Sequence, residues 1–410
     1  MVDKAACLSF VPLPPIFKQH AQMDFISKNV SELAPSLTLS ITSQAKALKK
    51  QGVDVLSFGA GEPDFNTPAH ITEAAIKALQ DGQTRYTESS GLIELREAIS
   101  AKFEMDNGLK YSPSQISVNC GAKHSCYNAI LAVCNPGDEV IIPAPYWTSY
   151  PEMVRLVGAV PVIVETKAED GWKITPEQFE EAMSPLTKMI ILNSPGNPTG
   201  SVYSKDELEK IAEIAVGEDI VILSDEIYEK LVYGDNKHIS IASLGKEVSD
   251  LTITINGFSK AYAMTGWRLG YTAAPKAIAD AIDTIQSHTT SNPTTFAQYG
   301  AIAALNGDQQ IVADMREEFN VRREFMLARL QNIKNIRVVE PWGAFYFLVN
   351  IEPIGIKSVN FAEKLLSKQK VAAVPGIAFG EDYTIRFSYA TSLDVINAGM
   401  DRFEEFCNQH

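Results

Sequence analysis

The segment Ile220–Tyr228 reads IVILSDEIY. Four apolar residues, three of them β-branched, run without a break to Ser224, which two adjacent acids follow. A strand buried on both faces has this composition, because neither face has to meet water. Three other segments repeat it: EVIIP at Glu139–Pro143, MIILN at Met189–Asn193 and LTITIN at Leu251–Asn256. Helical patterns with readable starts lie between and around them. Thr175, Pro176 and Gln178 supply an N-cap, a proline at the first helical position and a capping-box partner. Ser204 and Glu207 form a second capping box, ahead of Leu208, Ile211, Ile214 and Ala215 at helical spacing. Thr67–Pro68 opens a further helix. This alternation over residues 69–290 predicts an α/β domain with a mostly parallel sheet flanked by helices. After about residue 295 the order changes, and a helical stretch Asp308–Leu330 precedes strands at Gly343–Asn350 and Thr384–Ser388. The expected organisation is an N-terminal arm (1–30), a large domain (69–294) and a smaller α+β domain (31–68 with 295–410).

The chain's net charge of −14 would repel nucleic acid and anionic lipid, which leaves small molecules as the expected ligands. Its cysteines, Cys7, Cys120, Cys126, Cys134 and Cys407, are odd in number and form no C-x-x-C. Neither a disulfide framework nor a metal site is expected, and a reducing, cytoplasmic location fits best. No apolar run reaches the length of a membrane span. Pro12, Pro14 and Pro15 break up the apolar patch near the N-terminus, so no secretory signal is expected. No G-x-G-x-x-G follows the first strand, which argues against a nicotinamide dinucleotide.

In open α/β sheets ligands bind beyond the carboxyl ends of the strands. Trp147 follows EVIIP, Asn197 follows MIILN, Asp225 and Tyr228 follow IVILS, and Lys260 and Arg268 follow LTITIN. Asp225 and Glu226 are neighbours, so only one of them can face such a site. Arg386 lies between Ile385 and Phe387 and shares the opposite face with Thr384 and Ser388. A guanidinium on such a face can grip a carboxylate with two parallel hydrogen bonds.

The motifs NSPGNPTG (193–200), SDEIY (224–228) and SKAYAMTGWRLGY (259–271) occur in that order between AGEPDFNTP (60–68) and IRFSYATS (385–392). Together they resemble the pyridoxal 5′-phosphate-dependent aminotransferases of fold type I. The likeness is greatest to the bacterial-type aspartate aminotransferases and their relatives that act on prephenate. The resemblance implies that Lys260 forms the Schiff base with the cofactor and later moves a proton. It implies that Asp225 keeps the ring nitrogen protonated, and that Tyr228 and Asn197 hydrogen-bond the phenolic oxygen. Trp147 would stack on the ring. Gly121, Ala122 and Lys123 at a helix start, with Ser259 and Arg268, would hold the phosphate. Tyr86 would reach it from a neighbouring subunit, which implies a homodimer with shared sites. Arg386 and the Gly61 N–H would bind the substrate's α-carboxylate, while Lys123, Ser36 and Thr38 would meet a distal carboxylate. The expected reaction is ping-pong exchange between L-aspartate and 2-oxoglutarate; prephenate and aromatic substrates stay open as alternatives. Two positions depart from the family pattern. Gly257 stands two residues before Ser259, and His124 replaces a common glutamine.

Overall fold

The structure, a computed structural model, describes residues 25–31, 33–34 and 37–410. By packing, the chain separates into Met1–Leu33 and Ala34–His410. The described part of the first unit carries one short helix, Lys28–Ser31. Ser36 and Cys7 lie outside the described residues.

The second unit is built on a seven-stranded sheet. Its strands in chain order are β1 (Ile116–Asn119), β2 (Glu139–Ala144), β3 (Val160–Glu165), β4 (Thr187–Asn193), β5 (Val221–Asp225), β6 (Thr252–Gly257) and β7 (Gly270–Ala273). Their spatial order is β1-β7-β6-β5-β4-β2-β3. Every pairing is parallel except those of β7, which runs antiparallel to β1 and β6. The four apolar runs of the sequence are the adjacent central strands β6, β5, β4 and β2. Both faces are buried, as their composition requires. Val140, Ile142, Met189, Ile191, Val221, Leu223, Ile253 and Ile255 share one core with Ile130 and Ile282 of the helices Ala122–Val133 and Lys276–Thr289. Ile141, Ile190, Leu192 and Ile222 pack on the other side against Phe179, Leu208 and Ile211 of the helices Pro176–Ala182 and Lys205–Gly217.

Both capping boxes form. The Thr175 hydroxyl accepts from the Gln178 N–H, and the Ser204 hydroxyl from the Glu207 N–H. Thr67 behaves differently. Its hydroxyl donates to the Ala263 carbonyl at 2.7 Å and accepts from the Trp267 indole at 3.0 Å. The helix Ala69–Gln80 therefore starts behind Pro68 without a side-chain cap.

A four-stranded antiparallel sheet orders Val374–Pro375, Thr384–Ser388, Tyr346–Asn350 and Arg337–Val338. Phe345, Phe347, Phe387, Phe403 and Phe406 form its core. Leu56–Ser57 pairs in parallel with Val371–Ala372, which joins the segment before residue 68 to this C-terminal region. The helix Thr295–Asn306, expected in the smaller domain, shares a core through Ala297, Ala301 and Ala304 with Ile71, Leu95 and Ile99. The following helix, Gln310–Gln331, makes the crossing: Val312 sits in that core, while Phe319, Met326 and Leu330 sit in the aromatic one. The pattern change near residue 295 thus marks a switch from strand–helix to helix–helix packing, one helix before the chain changes cores. No described helix is long and apolar enough to cross a membrane. Cys120, Cys126, Cys134 and Cys407 are free thiols.

Candidate active site

A cleft of about 640 Å³ opens where β4 and β5 end in Asn193 and Asp225, and the Tyr346 and Arg386 side chains close its other side. Strand parity decides which acid reaches it. Asp225 has the parity of Val221 and Leu223 and lines the cleft, 3% exposed. Glu226 turns away and accepts hydrogen bonds from Ser224, Ser240 and His238. The Asp225 carboxylate accepts from the Tyr150 hydroxyl at 2.6 Å, the Cys126 thiol at 3.8 Å and the Ile227 N–H at 3.2 Å. Burial pushes its pKa up, and these hydrogen bonds pull against that shift.

Lys260 follows β6 and reaches into the same cleft, where its amine donates to the Gly61 carbonyl. The amine also lies over the rings of Tyr228 and Phe345, each at 5.6 Å. Burial, assisted by the positive charge of Arg386, lowers its pKa to about 8. Glu62, which accepts from the Thr265 hydroxyl at 2.9 Å, opposes the shift. A lysine so placed is partly neutral, and therefore nucleophilic, near neutral pH. The buried hydroxyl of Tyr228 pairs with that of Tyr346 at 2.9 Å.

The helix Ala122–Val133 begins at Gly121, whose φ is 91°. A Cβ at Gly121 would sit 2.5 Å from Nη2 of Arg268, so the glycine lets the guanidinium lie against bare backbone. The first backbone N–H pairing inside this helix start is His124 to Gly121. That leaves the Ala122 and Lys123 N–H groups at the helix's positive end for an external acceptor. Arg268 is anchored by Nη1 donating to the Thr265 carbonyl at 2.6 Å. Ser259, Ala122 and Lys123 line the cleft beside it. Behind the helix start lies Gly270 of β7, where any Cβ would overlap the Ala122 nitrogen. His124 uses Nδ1 to accept from the Cys120 N–H at 3.3 Å, which fixes this loop from behind.

Arg386 is 3% exposed, yet no ion pair joins it to a carboxylate among the described residues. Nη1 donates to Asn197 Oδ1 at 2.9 Å, Nη2 donates to the Gly59 carbonyl at 3.0 Å, and Nε has no partner among the described residues. Its guanidinium lies 4.4 Å from the centre of the Tyr346 ring. Asn197, with Oδ1 engaged, keeps its amide N–H groups as donors. A buried cation without a counter-ion is costly, and an arriving anion would relieve that cost.

Trp147 lines the cleft, edge-on to Tyr150 with centroids 5.2 Å apart, and Lys123 Nζ lies 4.9 Å over its ring. Burial, with Arg268 nearby, lowers the Lys123 pKa. Thr38 also lines the cleft. Tyr86 does not: it is 88% exposed and lies away from its own chain's cleft. Sequence reasoning missed Tyr150, Cys126, Tyr346 and Glu62. Tyr346 reaches the Arg386 face through the pairing of Leu348 with Arg386, a register that no local pattern in the sequence encodes.

The family model described as aminotransferase class I and II matches residues 53–403. An aspartate aminotransferase of Bacillus sp. (strain YM-2) is 50% identical over 388 residues, covering 93% of this chain and 99% of that protein. A probable aspartate/prephenate aminotransferase of Aquifex aeolicus is 47% identical over 385 residues, covering 93% and 98%. Among solved structures, an aspartate aminotransferase from Thermus thermophilus with maleate aligns with a TM-score of 0.90 and 42% identity, covering 94% of this chain and all of that one.

Proposed function

The chain belongs to the class I and II aminotransferase family, and on that premise we propose that it is an aspartate aminotransferase dependent on pyridoxal 5′-phosphate. It would move the amino group of L-aspartate to 2-oxoglutarate, giving oxaloacetate and L-glutamate. The cleft fits that cofactor on its own chemistry. The uncapped N–H groups of Ala122 and Lys123, the bare Gly121 and Arg268 suit a phosphate. The buried carboxylate of Asp225 suits a protonated ring nitrogen, and Trp147 suits an aromatic face. When bound, the cofactor supplies an electron sink for the substrate's α-carbon.

The chain's own groups do the remaining work. Lys260, with its pKa near 8, would condense with the cofactor's aldehyde as a neutral amine, with loss of water, and once displaced by the incoming amino acid would carry a proton from and to carbon. Tyr228 and Asn197 offer donors beside it. Arg386 carries the proposal most directly: a buried guanidinium, unpaired with any described carboxylate and one cleft wall from Lys260, suits an α-carboxylate common to every amino-acid substrate. Lys123 and Thr38 would meet the distal carboxylate. Tyr86 would complete the phosphate site of a second copy, making the enzyme a homodimer.

The test is a purified preparation supplied with cofactor, L-aspartate and 2-oxoglutarate. Oxaloacetate and glutamate should appear in equal amounts with ping-pong kinetics, and absence of glutamate would overturn the proposal. A second reading, amination of prephenate, is favoured by the Aquifex aeolicus relative's name. Prephenate in the acceptor panel decides it.

A further inference from the structure

Asp225 poses a physical question that its role alone does not answer. It is 3% exposed, and no described cation forms an ion pair with it. A carboxylate in such a place tends to take up a proton, and a protonated Asp225 could not serve a cationic ring nitrogen. Neutral donors oppose that tendency, and they are unevenly shared. Oδ2 receives both the Tyr150 hydroxyl at 2.6 Å and the Cys126 thiol at 3.8 Å. Among the described residues, Oδ1 receives only the Ile227 N–H at 3.2 Å. Each carboxylate oxygen has room for about two donors, so Oδ2 is filled and Oδ1 keeps one acceptor position.

Both donors are held rigidly. Tyr150 is 2% exposed, opens the helix Tyr150–Leu156, and packs edge-on against Trp147. Burial raises its pKa well above the ordinary value, so it stays a donor at any working pH. Cys126 is fully buried in the helix Ala122–Val133, one turn beyond the uncapped N–H groups at its start. One helix thus connects the proposed phosphate site to the proposed ring-nitrogen partner, and one tyrosine connects that partner to the aromatic wall.

We propose that Tyr150 and Cys126 are positioning residues that saturate Oδ2 of Asp225, keep the carboxylate ionised, and leave Oδ1 as the acceptor for the cofactor's ring nitrogen. This rests on the reading that pyridoxal phosphate occupies the cleft. The thiol is the weaker donor, so most of the effect belongs to Tyr150.

The test compares the affinity of the cofactor-stripped full chain for pyridoxal 5′-phosphate and for its analogue with carbon in place of the ring nitrogen. The wild-type protein should prefer the natural cofactor. Tyr150→Phe should weaken natural-cofactor binding about tenfold, the scale of a hydrogen bond to a charged group, and leave the analogue's affinity within about twofold. Cys126→Ala should cost about two- to threefold by the same measure, and Cys126→Ser, which restores a donor, should recover it. Equal losses for both ligands in Tyr150→Phe would mean a packing role and overturn the inference. Unchanged natural-cofactor affinity would overturn it too. A wild-type protein that binds both ligands equally would also overturn the inference, whereas one that binds neither would defeat the underlying cofactor reading.

Discussion

Burial and neighbouring cations set the behaviour of Lys260. Its pKa of about 8 lies below the ordinary 10.5, so in the cofactor-free protein the neutral fraction grows as pH rises through about 8. The rate of covalent capture of added pyridoxal phosphate should climb tenfold per pH unit below that point and flatten above about pH 9. A stopped-flow pH series with a midpoint near 10.5 would contradict this. The unfolded chain also holds its proton up to the ordinary value. Stability of the cofactor-free protein should therefore rise across the window from about 8 to about 10.5, and Lys260→Met should remove that rise. Arg386 and Lys123 should separate by substrate. Arg386→Ala should lower kcat/KM for every amino acid by 10²-fold or more, on the scale of a buried charge-assisted pair. Lys123→Ala should cost dicarboxylic substrates about tenfold and leave alanine nearly unchanged. A uniform loss in Lys123→Ala would remove its specificity role. Lys260, Asp225 and Arg386 were legible because each stands at a strand end or on a strand face inside a dense motif. Tyr150 and Tyr346 were not, because their partners Asp225 and Tyr228 lie 75 and 118 residues away, and no local pattern encodes such a meeting.

Among elements, the start of the helix Ala122–Val133 depends on β7. Gly270 allows the helix backbone to rest on the strand, and a methyl there would overlap the Ala122 nitrogen. Gly270→Ala should therefore destabilise the fold by about 1–3 kcal/mol, the usual scale of overpacking, and weaken cofactor binding by displacing the Ala122 and Lys123 N–H groups. Thermal melts with and without cofactor would read both effects, and a neutral substitution would show that the contact is slack. The central strands were readable since burial on both faces enforces a continuous apolar run. Strand β7 was not, because four residues inside a motif dense with glycine and aromatic groups show no period. The helix opened at Thr67–Pro68 starts at Ala69 as read, while the Thr67 hydroxyl is engaged by Ala263 and Trp267 from the segment after Lys260. The loop after Lys260 is thereby tied to the AGEPDFNTP segment.

At the scale of the whole molecule, charge is divided. The chain carries −14, yet its cleft is lined by Lys46, Lys49, Lys123, Lys260, Arg268 and Arg386 against only Glu62 and Asp225. A positive cleft in a negative body focuses small anions while the rest of the surface repels large ones. The kcat/KM for aspartate should fall as ionic strength rises from 0.01 to 0.15 M, as the screening length shrinks from about 30 to about 8 Å. It should fall more steeply than kcat/KM for alanine, and equal slopes would show that the field does not discriminate. Net charge was legible from composition, but this division was not, since only the fold brings Lys46 and Lys49 to the same cleft as Arg386. All of these expectations depend on one covalent partnership, which hydride reduction can fix. Cofactor-loaded protein should lose its visible absorbance on treatment with borohydride, and peptide mapping should find one phosphopyridoxyl group, on Lys260. A stable label on any other lysine, or no label at all, would contradict the account.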